Sequence, residues 1–444
     1  MKLWQKGFSI DKKIEDFTVG RDRELDLNLA RFDVLGSIAH ITMLESIDLL
    51  KKSELDILTK ELRKIYEEVA EGKFEIEDGI EDVHSQVEKL LTERLGDVGK
   101  KIHSGRSRND QVLLDLKLYM RSEIMQISQM TNELFETLQA QSERYKNVLI
   151  PGYTHLQVAM PSSFGLWFGA YAESLVDDIL LLQSAWKVAN QNPLGSAAGY
   201  GSSFPLNRSM TTKLLGFDDL NYNVVYAQMG RGKSEKILAF ALNSIAATLG
   251  KLAMDITLYM NQNFGFLTFP DQLTTGSSIM PHKKNPDVFE LVRAKCNKVQ
   301  ALAGEIIAIT SNLPSGYHRD FQLVKESFMD GIADLKSCLE ISEYALQQVK
   351  VTEGIIEDPR YRFLFSVEAV NEEVLKGVPF REAYQKIGKQ IADGSYQDKT
   401  DVNHTHEGSI GNLCTAEIGA KMEKALASFN FSKVMAAESD LLLG

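Results

Sequence analysis

Apolar residues in this chain recur in steps of three and four over long stretches, and proline falls between the stretches rather than inside them. After Pro161 they stand at Phe164, Phe168, Tyr171, Leu175, Ile179, Leu182 and Trp186. After Pro286 the same spacing runs through Val288, Leu291, Val292, Val299, Leu302, Ile306 and Ile309, and after Asn109 through Val112, Leu116, Met120, Ile124 and Ile127. This period marks one face of an α-helix, and alternation with period two is nearly absent. Helices of such length, at about 1.5 Å per residue, span on the order of 40 Å. They suit a large bundle extended by association of several copies. The expectation is an all-α fold, a central long-helix bundle flanked by smaller N- and C-terminal helical domains. A chain of 444 residues exceeds one ordinary core. We divide it into an N-terminal helical domain (1–105), a central bundle (106–350) and a C-terminal helical domain (351–444). The first boundary falls near KKIHSGRSRND, the second where VTEGIIEDPRYRF breaks the period.

Composition removes several classes of function. The formal net charge of -12 argues against a nucleic-acid partner, which needs clustered Lys and Arg. The three cysteines, Cys296, Cys338 and Cys414, are widely spaced without a CxxC pair, so they read as buried thiols in a reducing compartment and suggest neither a disulfide frame nor a zinc site. The most apolar long segment, Ile237 to Met260, is interrupted by Asn243, Lys251 and Asp255 and reads as a core helix rather than a membrane span. MKLWQKGFSIDKK carries no apolar run of signal-peptide length, and the expected location is the cytoplasm.

Three polar loops each feed a long helix. In TTGSSIMPHKKNPD, Thr274 to Asp287, Gly276 gives backbone freedom, Ser277 and Ser278 supply hydroxyls, Lys283 and Lys284 bring charge, and Asn285-Pro286-Asp287 reads as an N-cap with proline at N1. A helix N-terminus favours anions, so the loop is either a carboxylate site or a well-capped surface loop. HSGRSRNDQV places Arg106 and Arg108 ahead of a helix, with Ser107 and Asp110 spaced as a capping box. GYTHLQVAMPSS places Thr154, His155 and Gln157 before a helix opened by Pro161. Together the three suggest a polyanionic substrate gripped by helix N-termini, with titratable groups at hand.

GSSIMPHKKNPD resembles the signature loop of the fumarase/aspartase superfamily, and HSGRSRNDQV with THLQ resembles the argininosuccinate lyase family within it. NLPSGYHRDFQLVKES, Asn312 to Ser327, is similar to that family's substrate-binding stretch, and LKGVPFREAY, Leu375 to Tyr384, to its C-terminal domain. The resemblance covers nearly the whole chain. It implies an all-helical homotetramer, with no metal or organic cofactor, that splits argininosuccinate into arginine and fumarate in arginine biosynthesis. It also implies active sites shared between subunits, with the loops around Asn109, His155 and Ser277 supplied by three different chains.

The same resemblance implies roles. Ser277 is the general base, and Lys283 and Asn285 stabilise the doubly charged aci-carboxylate left by proton loss. His155 stands on the leaving-group side, its ring oriented by Glu290. Substrate binding falls to Ser107, Arg108, Asn109, Thr154, Tyr317, Gln322, Lys325 and His84, with Arg106 and Gln157 shaping the pocket. On the residues alone, Asn285 reads equally as a helix cap, Glu290 as a surface partner of Arg293 or Lys295, and Ser278 as an alternative base. His282, His318, His404 and His406 read as non-catalytic. The chain departs from the family pattern at Asp22 in TVGRDRELD, at QKGF (Gln5 to Phe8) and at MGRGKSEK (Met229 to Lys236), all bearing on how the arginine half is held. The rival readings are a sibling fumarate-releasing lyase and a helical tetramer with a dead site.

Overall fold

The computed structural model describes residues 11–444; the Gln5 to Phe8 departure lies outside them. Five long helices form the centre: Arg108–Arg144, Phe164–Ala189, Lys233–Met260, Asp287–Thr310 and Phe321–Leu346, here the first to fifth bundle helices. The third packs against the second, fourth and fifth, and the first closes the bundle against the second and fifth. The all-α expectation holds, since the strands among the described residues are short pairs between helices.

The third helix shows why an apolar run of this kind makes a core. It is long and apolar enough to cross a membrane, yet 56% of its most apolar window is buried inside the molecule. Two of its polar interruptions are spent on neighbours. Asn243 donates to the Gln300 carbonyl (2.8 Å), and the Asp255 carboxylate accepts from Trp167 Nε1 (3.1 Å) and the Tyr171 hydroxyl (2.6 Å). Each of these partly buried polar groups is satisfied across a helix interface, which fixes the register of the helices it joins.

The helix starts follow capping chemistry, with two corrections. The first bundle helix has the expected capping box: Ser107 Oγ accepts from the Asn109 amide (3.2 Å) and Asp110 Oδ1 accepts from the Ser107 amide (2.9 Å). Pro161, however, does not open the second helix. It lies in a β-hairpin, Leu149–Thr154 paired antiparallel with Gln157–Ser163, opposite Pro151. The helix begins at Phe164, capped by Ser163 Oγ, which accepts from the Leu166 amide (3.0 Å). The hairpin turns through His155 and Leu156, both at positive φ (55° and 57°), the two-residue turn whose twist suits a hairpin. Nor does Asn285 cap the fourth helix: Pro286 holds the cap position, no side chain bonds the first-turn amides, and Asn285 Nδ2 points to Thr275 Oγ1 (3.4 Å).

Beside the bundle, helix Ala30–Ser46 packs on the first helix, and Lys52–Ala70 and Val83–Leu95 pack on Ala30–Ser46 and on each other. Beyond residue 350, Ala369, Val370, Ala383, Ile387 and Tyr396 form a small cluster of their own, while Ile418, Met422, Val434 and Leu441 join the main core. The last helix, Phe431–Leu443, ties distant parts together. Lys433 donates to the Phe217 carbonyl (2.9 Å), Glu438 faces the buried Arg121 (3.8 Å), Phe431 meets Trp186 edge-on (4.9 Å), and Arg63 donates to the Leu441 carbonyl (3.0 Å). Cys296 and Cys338 are buried free thiols, as expected; Cys414 is only half-buried.

Gly165, at the start of the second bundle helix, lies tightly against the end of the first and the residues just after it. A Cβ there would stand 2.5 Å from the Lys146 Cα and 2.7 Å from the Ser142 carbonyl oxygen. Gly165→Ala is expected to lower folding stability by about 1–3 kcal/mol through overpacking. Gly388→Ala, on an open helix face with nothing within 4 Å, should instead be neutral or stabilise by up to about 1 kcal/mol. Denaturant midpoints of the two variants check this.

Candidate active site

Where the first and fifth bundle helices begin, a cavity of about 230 Å³ opens between them and the N-terminal helices. Six sequence-predicted residues line it: His84, Arg108, Asn109, Tyr317, Gln322 and Lys325. Sequence reasoning missed Asp26, Glu81, Asp82 and Arg319 beside them; Arg231, also in the lining, lies in the MGRGKSEK departure, and Asp22 in the TVGRDRELD departure. Arg319 lies inside the stretch NLPSGYHRDFQLVKES, and Glu81 and Asp82 precede His84, so proximity to the motifs was the available signal.

The walls are held by ion pairs. Arg108 reaches Glu81 (3.1 Å) and Asp82 (3.3 Å) and donates to Ser85 Oγ (2.7 Å); Arg319 reaches Glu81 (2.6 Å). Buried Lys325 lies between Asp22 (2.8 Å) and Asp26 (2.6 Å). Burial opposes its charge, but the two carboxylates outweigh burial and hold the ammonium above its ordinary range. Gln322 Nε2 donates to the carbonyls of Thr18 (2.8 Å) and Val19 (2.9 Å), and thus tethers the N-terminal segment to the rim. Ser107 does not line the cavity; its hydroxyl is the helix cap.

Behind the wall, His84 Nδ1 meets Asp33 (2.7 Å) and Asp115 (3.5 Å). The three offer ligand atoms within 4.8 Å of one another, a possible cation cage by spacing. Burial disfavours the charged ring, yet Asp33, Asp115 and Asp82 prevail and raise its pKa to about 9, so His84 is held as an imidazolium between two carboxylates. Because the folded-state pKa lies above the unfolded value near 6.5, this stabilisation is complete below pH 6.5 and is lost as pH rises through about 9. The pH-dependent part of the stability gap between wild type and His84→Asn, on the order of 3 kcal/mol, should therefore vanish across that window in denaturation curves.

Arg106 stays at this end but outside the lining, where it donates to Ser37 Oγ (3.0 Å), and the residues of the other two loops lie at the other end of the bundle. The first helix has 37 residues, about 56 Å at 1.5 Å each. Arg108 opens it; at its far end the Tyr145 carbonyl accepts from the Gly165 amide (3.2 Å), which sets the base of the hairpin carrying Thr154 and His155. Gln141 Nε2 donates to the Leu346 carbonyl (2.9 Å), so the fifth helix ends there too. Leu267–Thr268 pairs with Lys350–Val351 at that same end, and from it the chain leads to the Ser277 loop. That loop, closed by pairing of Thr275–Gly276 with Lys284–Asn285, carries Ser277, Lys283 and Asn285 and runs into the helix of Glu290. Ser277 Oγ accepts from the amides of Ile279 (3.3 Å) and Met280 (3.2 Å), and Lys284 pairs with Asp271. Glu290 is exposed. Lys295 is taken by Asp334 (3.1 Å) and Arg293 lies against Met254, so neither engages Glu290. Within one chain, then, the Arg108 cavity and the His155 and Ser277 loops are separated by the length of the bundle.

Comparison with known proteins places this arrangement. A lyase family profile matches residues 8–301. Curated argininosuccinate lyases of Bacteroides fragilis and Parabacteroides distasonis are each 63% identical, over 441 and 443 residues, and cover 99% and 100% of this chain and 99% of their own length. The chain belongs to the argininosuccinate lyase family. A more distant family member, from Thermotoga neapolitana, is 39% identical over 88% of this chain and 98% of its own. Membership makes the protein a lyase. Among solved structures, an EDDS lyase in complex with formate matches with a TM-score of 0.75 at 19% identity, covering 98% of this chain and 95% of that one. A class II fumarase from Schistosoma mansoni matches with 0.71 at 16% identity, covering 86% and 88%. At such identities the likeness concerns the fold, and it is the fumarase/aspartase-type helical bundle.

Proposed function

We propose that the protein eliminates fumarate from argininosuccinate and releases arginine, a step of arginine biosynthesis in the cytoplasm. The observation that carries this reading is end-to-end identity of 63% to argininosuccinate lyases. Ser277 takes the proton from the carbon beside a succinyl carboxylate, and Lys283 and Asn285 hold the aci-carboxylate dianion that results. Collapse of that dianion forms the double bond of fumarate and breaks the carbon–nitrogen bond. The guanidino nitrogen departs with a proton delivered from the side of His155, whose ring Glu290 orients. Preorganised donors are the main source of rate in such a step, because charge builds on a group already charged. Asn285 does not cap the helix and makes only a long bond to Thr275 Oγ1 (3.4 Å), and among the described residues neither Arg293 nor Lys295 engages Glu290, which supports these two roles.

Separation of the motif loops by the length of the bundle supports a site assembled from several chains of a homotetramer. Five apolar side chains of the bundle helices, Leu180, Leu181, Phe240, Met254 and Leu291, are 46–63% exposed in the single chain, as an assembling bundle requires. In this reading Arg108, Asn109, Tyr317, Gln322, Lys325 and His84 serve the arginine half, Thr154 comes from a second chain with His155, and the Ser277 loop from a third.

Fumarate release is followed by its ultraviolet absorbance. Argininosuccinate should be consumed, and adenylosuccinate, aspartate and malate left intact; release from adenylosuccinate alone would overturn the reading. Ser277→Ala should lower turnover by about a hundred- to ten-thousand-fold, with thermal stability nearly unchanged.

A second experiment addresses assembly. His155→Asn and Ser277→Ala, each inactive, are mixed equally, dissociated and reassembled. A working site needs one unaltered copy of each residue from different chains, so roughly a quarter of sites should recover. Mixed tetramers confirmed by mass that stay inactive would refute the shared site.

A further inference from the structure

One cationic side chain of the cavity wall reaches away from the cavity rather than across it. Arg231 stands just before the third bundle helix, and its side chain is buried. Its Nε meets Glu235 (3.1 Å), one turn on, and its Nη2 donates to the carbonyl of Phe321 (3.1 Å). Neither Glu235 nor Phe321 lines the cavity. The guanidinium lies 6.0 Å from the centre of the Phe321 ring, which also meets the Tyr317 ring at 6.2 Å. Its charge is felt inside the cavity as well. Burial lifts the Asp22 carboxylate to about 6, and Lys325 and, more weakly, Arg231 draw it down.

Phe321 is the first residue of the fifth bundle helix, and that helix starts without a side-chain cap. In the helical pattern its carbonyl accepts from the amide four residues on, that of Lys325. Arg231 therefore grips the turn that carries Gln322 and Lys325 and follows Tyr317. The close approach needs Gly232. Its φ is 73°, and a Cβ there would stand 2.7 Å from Thr310 Cγ2 and 3.2 Å from a Phe321 ring carbon. Glu235 is itself buried on the third bundle helix, so the grip is anchored in the helix around which the bundle is built.

We propose that Arg231 is a positioning residue: held by Glu235, it fixes the first turn of the fifth bundle helix and so sets where Tyr317, Gln322 and Lys325 meet the ligand. This rests on the reading of the cavity as the site of the arginine half. The residue acts through Phe321, so its removal loosens the whole turn and weakens every ligand of the cavity alike. A side chain that bound the ligand's carboxylate would instead be missed only by ligands that bear one.

The test uses three variants of the full chain: Arg231→Lys, Arg231→Met, and Arg231→Met combined with Glu235→Leu. The last removes both charges, so the carboxylate is not left buried without its partner. Fumarate release from argininosuccinate gives KM and kcat. Calorimetry gives the binding of arginine and of 4-guanidinobutylamine, which is arginine without its carboxylate. Arg231→Met and the double variant should raise KM about 10- to 100-fold with a far smaller fall in kcat, and weaken both calorimetric ligands by the same factor. Arg231→Lys, which keeps a donor for the Phe321 carbonyl, should fall between them and wild type. An unchanged KM, or a fall in kcat as large as the rise in KM, in variants that melt with wild type overturns the proposal while the lyase reading stands. Weakening confined to arginine overturns it as well. Collapsed thermal midpoints in all three variants assign the pair to folding alone and count against a positioning role. Failure of wild type to release fumarate from argininosuccinate overturns the lyase reading, and this inference with it.

Discussion

The third bundle helix governs the rest of the structure, because every other long helix but the first must find its place against it. Its apolar surface is too great to leave in water, and burying it on three sides brings the second, fourth and fifth helices together. Asn243 and Asp255 then help set which residues meet, since each half-buried group bonds a particular neighbouring helix. A bundle built this way is stiff, and its length is set by the helices rather than by any site. The loops that carry the predicted site residues lie at its two ends.

Those loops differ in how they are held. At the Arg108 end the side chains are locked by pairs, with Lys325 between two aspartates and Arg108 across Glu81 and Asp82. Such a wall binds through fixed charge. At the opposite end Ser277 satisfies only amides of its own loop, and His155 stands exposed on a two-residue turn. These groups are displayed rather than packed, which is the observation behind the proposal that their remaining partners come from another chain.

Most of the fold was legible because long helical periodicity has few competing readings. The hairpin before the second helix was not. Its strands are short, prolines interrupt them, and Pro161 imitates a helix start while Ser163 two residues later does the capping. The cap assignment of Asn285 failed for a related reason: the Thr275–Asn285 pairing takes that residue into a strand before the helix begins. In the cavity, the residues within quoted motifs were legible, and the carboxylates that neutralise them were not. Asp26, Glu81 and Asp82 matter through their distances to Lys325 and Arg108, and charge pairing between segments so far apart in the chain leaves no local pattern.

The last helix has a consequence for how the chain is made. Its residues cover Arg121 and Trp186 and receive Arg63, groups synthesised hundreds of positions earlier. Until that helix docks, Arg121 keeps Asn190 and the Leu215 carbonyl but lacks the Glu438 carboxylate, and the Trp186 indole lacks the Phe431 ring against it. The core therefore cannot close segment by segment, as a string of independent domains does, and its sealing is a long-range event in the folding of the chain.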